Sequence, residues 1–172
     1  MRIALTGTPG TGKTTVAALL PFKVIDINSL VRAGLNVGVD PMRGCLEADM
    51  EALAELFREE AESPNEKGGI TILEGHFSHR FSDWAIVLRI EPAMLRERLR
   101  ARGYAEEKIN ENLEAEALDV ILVEAAESCS RVDEIDTTNR SPVEVADLVK
   151  RIVDGELRLP PGQVDWLVDF FG

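Results

Sequence analysis

An α/β domain built on a five-stranded parallel sheet with helices on both faces is what this sequence predicts. Three observations carry that prediction. Short apolar runs alternate with helical patterns along the chain. The segment Gly7-Thr8-Pro9-Gly10-Thr11-Gly12-Lys13-Thr14 matches G-x-x-x-x-G-K-S/T at every fixed position. It also lies where the motif requires, between the apolar strand Ile3-Ala4-Leu5 and a helix that begins at Thr14. The 172 residues, 45% of them hydrophobic, suit one domain over 1–172 that can bury most of its apolar surface.

The remaining elements follow in order. Thr14 to Leu20 reads as a helix ended by Pro21, and Val24-Ile25-Asp26-Ile27 as a short strand. Asn28-Ser29 offers an N-cap to a segment ending at Arg32, and Ala33 to Pro41 reads as a Gly-containing loop. Glu47 to Ala61 is helical, with Leu46, Met50, Leu53, Ala54 and Phe57 at spacings of three and four; the run 63–69 is a turn-rich break. Ile70 to Leu73 and Ala85 to Ile90 are buried strands. Pro92 opens a helix that runs to Arg102 and stops at Gly103, and one long helix is expected from Ala105 to Ser128. Asp133 to Asp136 is the fifth strand. Ser141-Pro142-Val143-Glu144 is a capping box that starts the last helix, which ends near Gly155. The tail, 156–172, places Trp166, Leu167, Phe170 and Phe171 on one apolar face that either docks on the domain or meets a partner.

The glycine-rich motif binds a nucleoside triphosphate. Its glycines let the backbone wrap the phosphates, helix N-terminal N–H groups face the anion, Lys13 reaches the β- and γ-phosphates, and the Thr14 hydroxyl ligates Mg²⁺. This is a P-loop NTPase fold. The second constellation is Glu74-Gly75-His76, at the carboxyl end of the third strand, on the sheet edge that carries the P-loop. Glu74 is the candidate to hold Mg²⁺ through water, and His76 orients a water or a phosphate or is structural; His79 reads as structural. Arg98 and Arg102 share a helical face before Gly103-Tyr104, where an arginine can close over a transferring phosphoryl group; Arg102 is preferred, and Arg96 and Arg100 face solvent. Arg32 is placed to meet the phosphate of a second nucleotide.

A net charge of -12 argues against general or sequence-specific binding to nucleic acid. Arg89, Arg96, Arg98, Arg100 and Arg102 crowd into one stretch and suggest an anion-handling face, whereas the acids from Glu106 to Glu127 form a solvated face or one that meets a basic protein. Cys45 and Cys129 have no metal-ligand spacing and read as reduced thiols. No apolar run is long enough to span a bilayer and no signal pattern opens the chain, so a cytoplasmic protein without membrane contact is expected.

Taken together, Gly7 to Thr15, Glu74-Gly75-His76, Arg102-Gly103-Tyr104 and Glu111-Asn112-Leu113-Glu114-Ala115-Glu116 resemble the atypical adenylate kinases of archaea and of the eukaryotic nucleus. The resemblance spans residue 2 to about residue 150. It implies a broad-specificity nucleoside monophosphate kinase, ATP and AMP giving two ADP, that also hydrolyses ATP and aids late maturation of the small ribosomal subunit by transiently binding a basic platform ribosomal protein. By that likeness Gly10, Gly12, Lys13, Thr14, Thr15 and Arg102 hold ATP, residues 28–51 form the nucleotide-monophosphate flap and 101–111 a short lid. The segment Thr137-Thr138-Asn139 borders the adenine. Two departures stand out: the strand-end acid is Glu74 where the family often has Asp, and the helix after the lid carries Glu114, Glu116 and Asp119 where larger adenylate kinases place arginines, which implies a slower kinase. An ATP-switched assembly factor and a P-loop kinase for another small acceptor are the other functional classes this layout admits.

Overall fold

A computed structural model describes residues 1–41, 46–62 and 69–167. Cys45, the break at 63–68 and the aromatic pair Phe170 and Phe171 lie outside the described residues. β1 (Arg2–Thr6) leads into α1 (Lys13–Ala17), β2 (Lys23–Asp26) into α2 (Ile27–Arg32), and a hairpin of β3 (Asn36–Val39) and β4 (Leu46–Ala48) precedes α3 (Met50–Glu62). Then come β5 (Thr71–Glu74), a 3-10 turn (Ser78–Phe81), β6 (Trp84–Arg89), α4 (Pro92–Ala101), α5 (Glu106–Ala117), α6 (Val120–Ser128), β7 (Arg131–Asp136) and α7 (Pro142–Val153).

Five strands form one sheet in the order β2-β5-β1-β6-β7, every pair parallel. β5 and β6 are buried at every residue, as strands covered on both faces must be. Because side chains alternate across a strand, Ile3, Leu5, Ile86 and Leu88 pack on one face against Val145, Val149 and Ile152 of α7. On the other face Ala4, Ala85 and Val87 meet Leu122 and Ala125 of α6, while Leu73 packs with Ile27, Leu53 and Phe57 under α2 and α3. This is the P-loop NTPase fold. No helix among the described residues is long and apolar enough to cross a membrane.

Several local expectations are corrected. The span 33–41 holds β3, which pairs antiparallel with β4, so the following helix starts at Met50 rather than Glu47. Val37 and Val39 are exposed, so no inward-facing alternation announced that hairpin. α1 is shorter than expected, because after Ala17 the chain tightens into i→i−3 bonds from Leu19 to Val16 and from Leu20 to Ala17. The expected helix over 105–128 is two helices, broken where Asp119 takes a left-handed conformation with φ 57°.

That break is explained by Arg89, which belongs to no anion-handling face. It is buried at the end of β6, and its guanidinium donates to Glu116 Oε1 (2.8 Å), Glu134 Oε1 (2.7 Å), the Glu116 carbonyl (2.9 Å) and Asp119 Oδ1. Asp119 makes its bond to the guanidinium at the break itself, and asparagine and aspartate are the side-chain-bearing residues that best tolerate that conformation. Glu116 and Asp119 therefore face inward, not toward a basic partner. His79 is structural: its buried ring lies 3.4 Å from Thr6 Oγ1 and 3.2 Å from Glu124 Oε2 on α6. The tail runs beside β7, with Leu159 N–H donating to Asp133 Oδ1 (2.9 Å), Glu134 N–H to the Leu159 carbonyl (2.7 Å), and the N–H groups of Gly162 and Gln163 to Glu134 Oε2 (2.9 Å each).

Replacing Arg89 with alanine strands Glu116 and Glu134 as buried anions without their shared cation. Arg89→Ala is expected to lose about 3–5 kcal/mol of stability in urea unfolding; a loss below about 1 kcal/mol would show that these carboxylates protonate or reach water at little cost.

Candidate active site

The P-loop leaves β1 at Thr6 and is shaped by glycines with positive φ. At Gly10, φ is 103° and an added Cβ would come within 2.5 Å of Leu95 Cδ1, so a side chain there collides with α4. At Gly12, φ is 101° immediately before α1, with no neighbour closer than Arg98 Nη1 at 3.8 Å; conformation rather than space requires glycine there. Thr11 N–H and its hydroxyl both donate to the Thr8 carbonyl (3.2 and 3.0 Å), and Thr137 Oγ1 at the end of β7 donates to the Thr11 carbonyl (3.3 Å). The loop is thus tied across the sheet edge.

Lys13 lies buried within this loop, its ammonium donating to the carbonyls of Gly7 (2.7 Å) and Thr8 (3.0 Å). Burial pulls its pKa down to about 8, against the opposing pull of the Glu74 and Glu116 carboxylates. Glu74 ends β5 with its side chain buried, in register with Leu5 of β1 on one side and Asp26 of β2 on the other. Burial raises its pKa, Lys13 and a hydrogen bond with the Thr14 side chain lower it, and Asp26 adds to the rise. A threonine hydroxyl and a carboxylate side by side are the hard oxygen donors that Mg²⁺ selects, and the lysine beside them suits phosphate oxygens. Lys13 and Thr14 come from the glycine-rich motif and Glu74 from the end of β5, sixty positions on.

His76 stands one residue beyond Gly75. The residue is exposed, its ring is set edge-on to Phe77 at 4.5 Å between centroids, and its pKa is lowered to about 4, by crowding around the ring first and by the Lys13 ammonium second. An imidazole so placed is neutral at pH 7 and can accept or donate one hydrogen bond. Arg32, at the end of α2, is exposed and turns back to Ser29 Oγ (2.8 Å) and Asp26 Oδ2 (3.4 Å).

Beside the P-loop is a cleft of about 210 Å³ lined by Gly12, Thr15, Arg98, Arg102, Thr137 and Arg140, among others. Arg98 donates to the Gly10 carbonyl (3.3 Å), and Arg102 is exposed at the end of α4. Asn139 is exposed in the turn between Thr137 and Arg140 and does not line this cleft. Sequence reasoning passed over Arg140. Its signal was position: it follows the carboxyl end of a strand on the same edge as the P-loop. Arg96 and Arg100, assigned to solvent, pair with Glu106 at 3.5 and 2.8 Å. A larger cavity of about 750 Å³ opens among Arg2, His79, Trp84 and Arg131 at the amino-terminal edge of the sheet, and neither Lys13, Thr14, Glu74 nor His76 lines it. We place the candidate site at the P-loop, where the chemistry-bearing side chains converge. Among the described residues no group of three or more His, Cys, Asp or Glu forms a metal cluster.

Residues 3–119 match the AAA domain family. A protein of Methanothermobacter thermautotrophicus named "Putative adenylate kinase" is 49% identical over 176 residues, covering 96% of this chain and 99% of that protein. One of the same name from Archaeoglobus fulgidus is 47% identical over 174 residues, covering 97% and 92%. Among solved structures, shikimate kinase from Acinetobacter baumannii aligns with a TM-score of 0.57 over 91% of this chain and 95% of its own, at 14% identity. The tunicamycin resistance protein of Deinococcus radiodurans gives 0.56 over 93% and 98%, at 20% identity. These two share the fold.

Lys13 keeps its charge at a desolvation cost. Because its pKa is about 8 when folded and 10.5 when unfolded, the unfolded chain holds more protons between those values, and stability rises with pH across that window. Lys13→Met removes the titrating group. At pH 7 the variant is expected to be at least as stable as the parent, and its advantage should shrink from pH 8 to pH 10 in parallel thermal melts. A constant difference across that range would mean the ammonium is not desolvated.

Proposed function

Because this chain belongs to the adenylate-kinase-like P-loop family of its archaeal relatives, we propose that it is a nucleoside monophosphate kinase that moves the γ-phosphoryl group of ATP to AMP with Mg²⁺, giving two ADP. The observation that carries this reading is the convergence of Lys13, Thr14 and Glu74 on one sheet edge, with a cleft lined by Arg98, Arg102 and Arg140 at the same loop. In this reading the P-loop backbone and Lys13 cradle the β- and γ-phosphates, and Gly10, Gly12 and Thr15 complete the ATP cradle. Thr14 and, through water, Glu74 would hold Mg²⁺, which would supply positive charge to the phosphates. A phosphate oxygen of AMP forms the new bond to the γ-phosphorus while the bond to the β-phosphate oxygen breaks, so one ADP is made and one is released.

The remaining roles follow from position. Arg32, on α2 within 28–51, reaches the AMP phosphate by exchanging its partners at Asp26 and Ser29 for the anion. Arg102 begins the 101–111 lid and meets charge as it develops on the transferring group, while the turn 137–139, with Asn139, borders the adenine. His76, neutral at pH 7, orients the phosphate or a water without adding positive charge. A finer reading adds ATP hydrolysis and transient docking of a basic small-subunit ribosomal protein. What supports it is the solvent face of α5, where Glu107, Glu111 and Glu114 are exposed; such an encounter should weaken as salt rises.

The test is ADP formation with and without AMP. Product that rises only with AMP supports the kinase, whereas equal ADP in both arms, with free phosphate accumulating, supports hydrolysis alone. Glu74→Gln and His76→Ala are expected to keep ATP affinity within a few fold while turnover falls by roughly two orders of magnitude. Arg102→Ala should lower kcat more than it raises KM, and Arg96→Ala, whose side chain turns to Glu106, should be nearly silent. A reversed ranking of the two arginines would place the wrong face of α4 over the nucleotide.

A further inference from the structure

Thr8 occupies a variable position of the motif, yet it is the most heavily bonded residue of the loop. Its carbonyl accepts from Lys13 Nζ (3.0 Å), Thr11 Oγ1 (3.0 Å) and Thr11 N–H (3.2 Å). Its hydroxyl donates to Glu116 Oε2. Glu116 is on α5, the helix that follows Gly103-Tyr104, and its other oxygen accepts from Arg89 Nε (2.8 Å) and the Ile90 N–H (3.1 Å). Thr8 and Glu116 are both about 2% exposed, so water does not compete for these bonds. One oxygen of Glu116 is thus anchored to β6, and the other is given wholly to the P-loop.

The geometry points to Glu116 as a positioning residue: by gripping the Thr8 hydroxyl from the lid side, it fixes the Thr8 carbonyl that holds Lys13 and so sets where the lysine starts when a phosphate arrives. This rests on the reading of the loop as an ATP cradle. Lys13 must leave the Gly7 and Thr8 carbonyls to meet a phosphate, and a loop free to follow the departing lysine would lose the alignment of its N–H groups. A misplacement of about 1 Å in such a site costs up to roughly a hundredfold in rate. If Glu116 served only to neutralise Arg89, the Thr8 hydroxyl would be dispensable, because Arg89 keeps Glu116, Asp119 and Glu134 without it.

Thr8→Val removes the hydroxyl at nearly constant volume, and Thr8→Ser keeps it. The expected result is that Thr8→Val lowers kcat by roughly ten- to a hundredfold with KM for ATP within about threefold of the parent, and that Thr8→Ser recovers most of the loss. Hydrogen exchange of the loop amides gives a readout independent of the acceptor: residues 7–15 should exchange faster in Thr8→Val and at the parent rate in Thr8→Ser. Parent-like kcat and parent-like exchange in Thr8→Val overturn the proposal, as does a Thr8→Ser variant no better than valine. If the parent binds ATP but transfers nothing to AMP, the kinase reading fails while the exchange comparison still decides the role of Glu116.

Discussion

The phosphate-binding end of this protein is built around one buried cation. Arg89 sits at the last position of β6, and a guanidinium removed from water is tolerated only when carboxylates and carbonyls take up its N–H groups. Here it donates to Glu116 on α5, Asp119 at the α5–α6 break and Glu134 on β7. None of these elements can shift alone without stranding a charge. The P-loop joins the same cluster through Thr8 and, by way of Thr137, the end of β7 as well. The site is therefore as rigid as the ion cluster behind it.

On the ligand side the balance is different. Lys13 and Glu74 are both buried, and burial works against the charge of each, lowering the lysine pKa and raising that of the carboxylate. They relieve one another only in part, and the carbonyls that hold Lys13 are poor substitutes for an anion. An arrangement that leaves charged groups incompletely compensated in the free protein favours whatever brings matching charge, and a phosphate with a divalent cation does so. The fold rigidly satisfies the charges behind the loop and leaves those in front of it waiting.

What could be read in the sequence and what could not divide along the same line. The P-loop, the strand ending at Glu74 and the capping box at Ser141 are contiguous patterns, each with a local physical cause, and the parallel sheet follows from alternating strands and helices. The partners of Arg89 are separated from it by 27, 30 and 45 positions, and nothing local marks Glu116 or Glu134 as inward-facing. An acid-rich helix reads as solvated whether or not one of its acids is buried. The break at Asp119 coincides with one of those distant partners, so it was as hidden as the ion pair. The β3–β4 hairpin escaped for another reason: its valines point outward, and a strand that buries nothing leaves no periodic trace.

One carboxylate in this network ties in the tail of the chain. Glu134 gives one oxygen to Arg89 and the other to the N–H groups of Gly162 and Gln163, so the support behind residue 8 passes through residues 89, 116 and 134 and is completed beyond residue 160. The P-loop lies near the amino end, whereas two of the three donors to Glu134 lie beyond residue 160, so without that last stretch a buried carboxylate keeps only its bond from Arg89. The nucleotide-handling end of this molecule is thus completed by residues from the opposite end of its sequence.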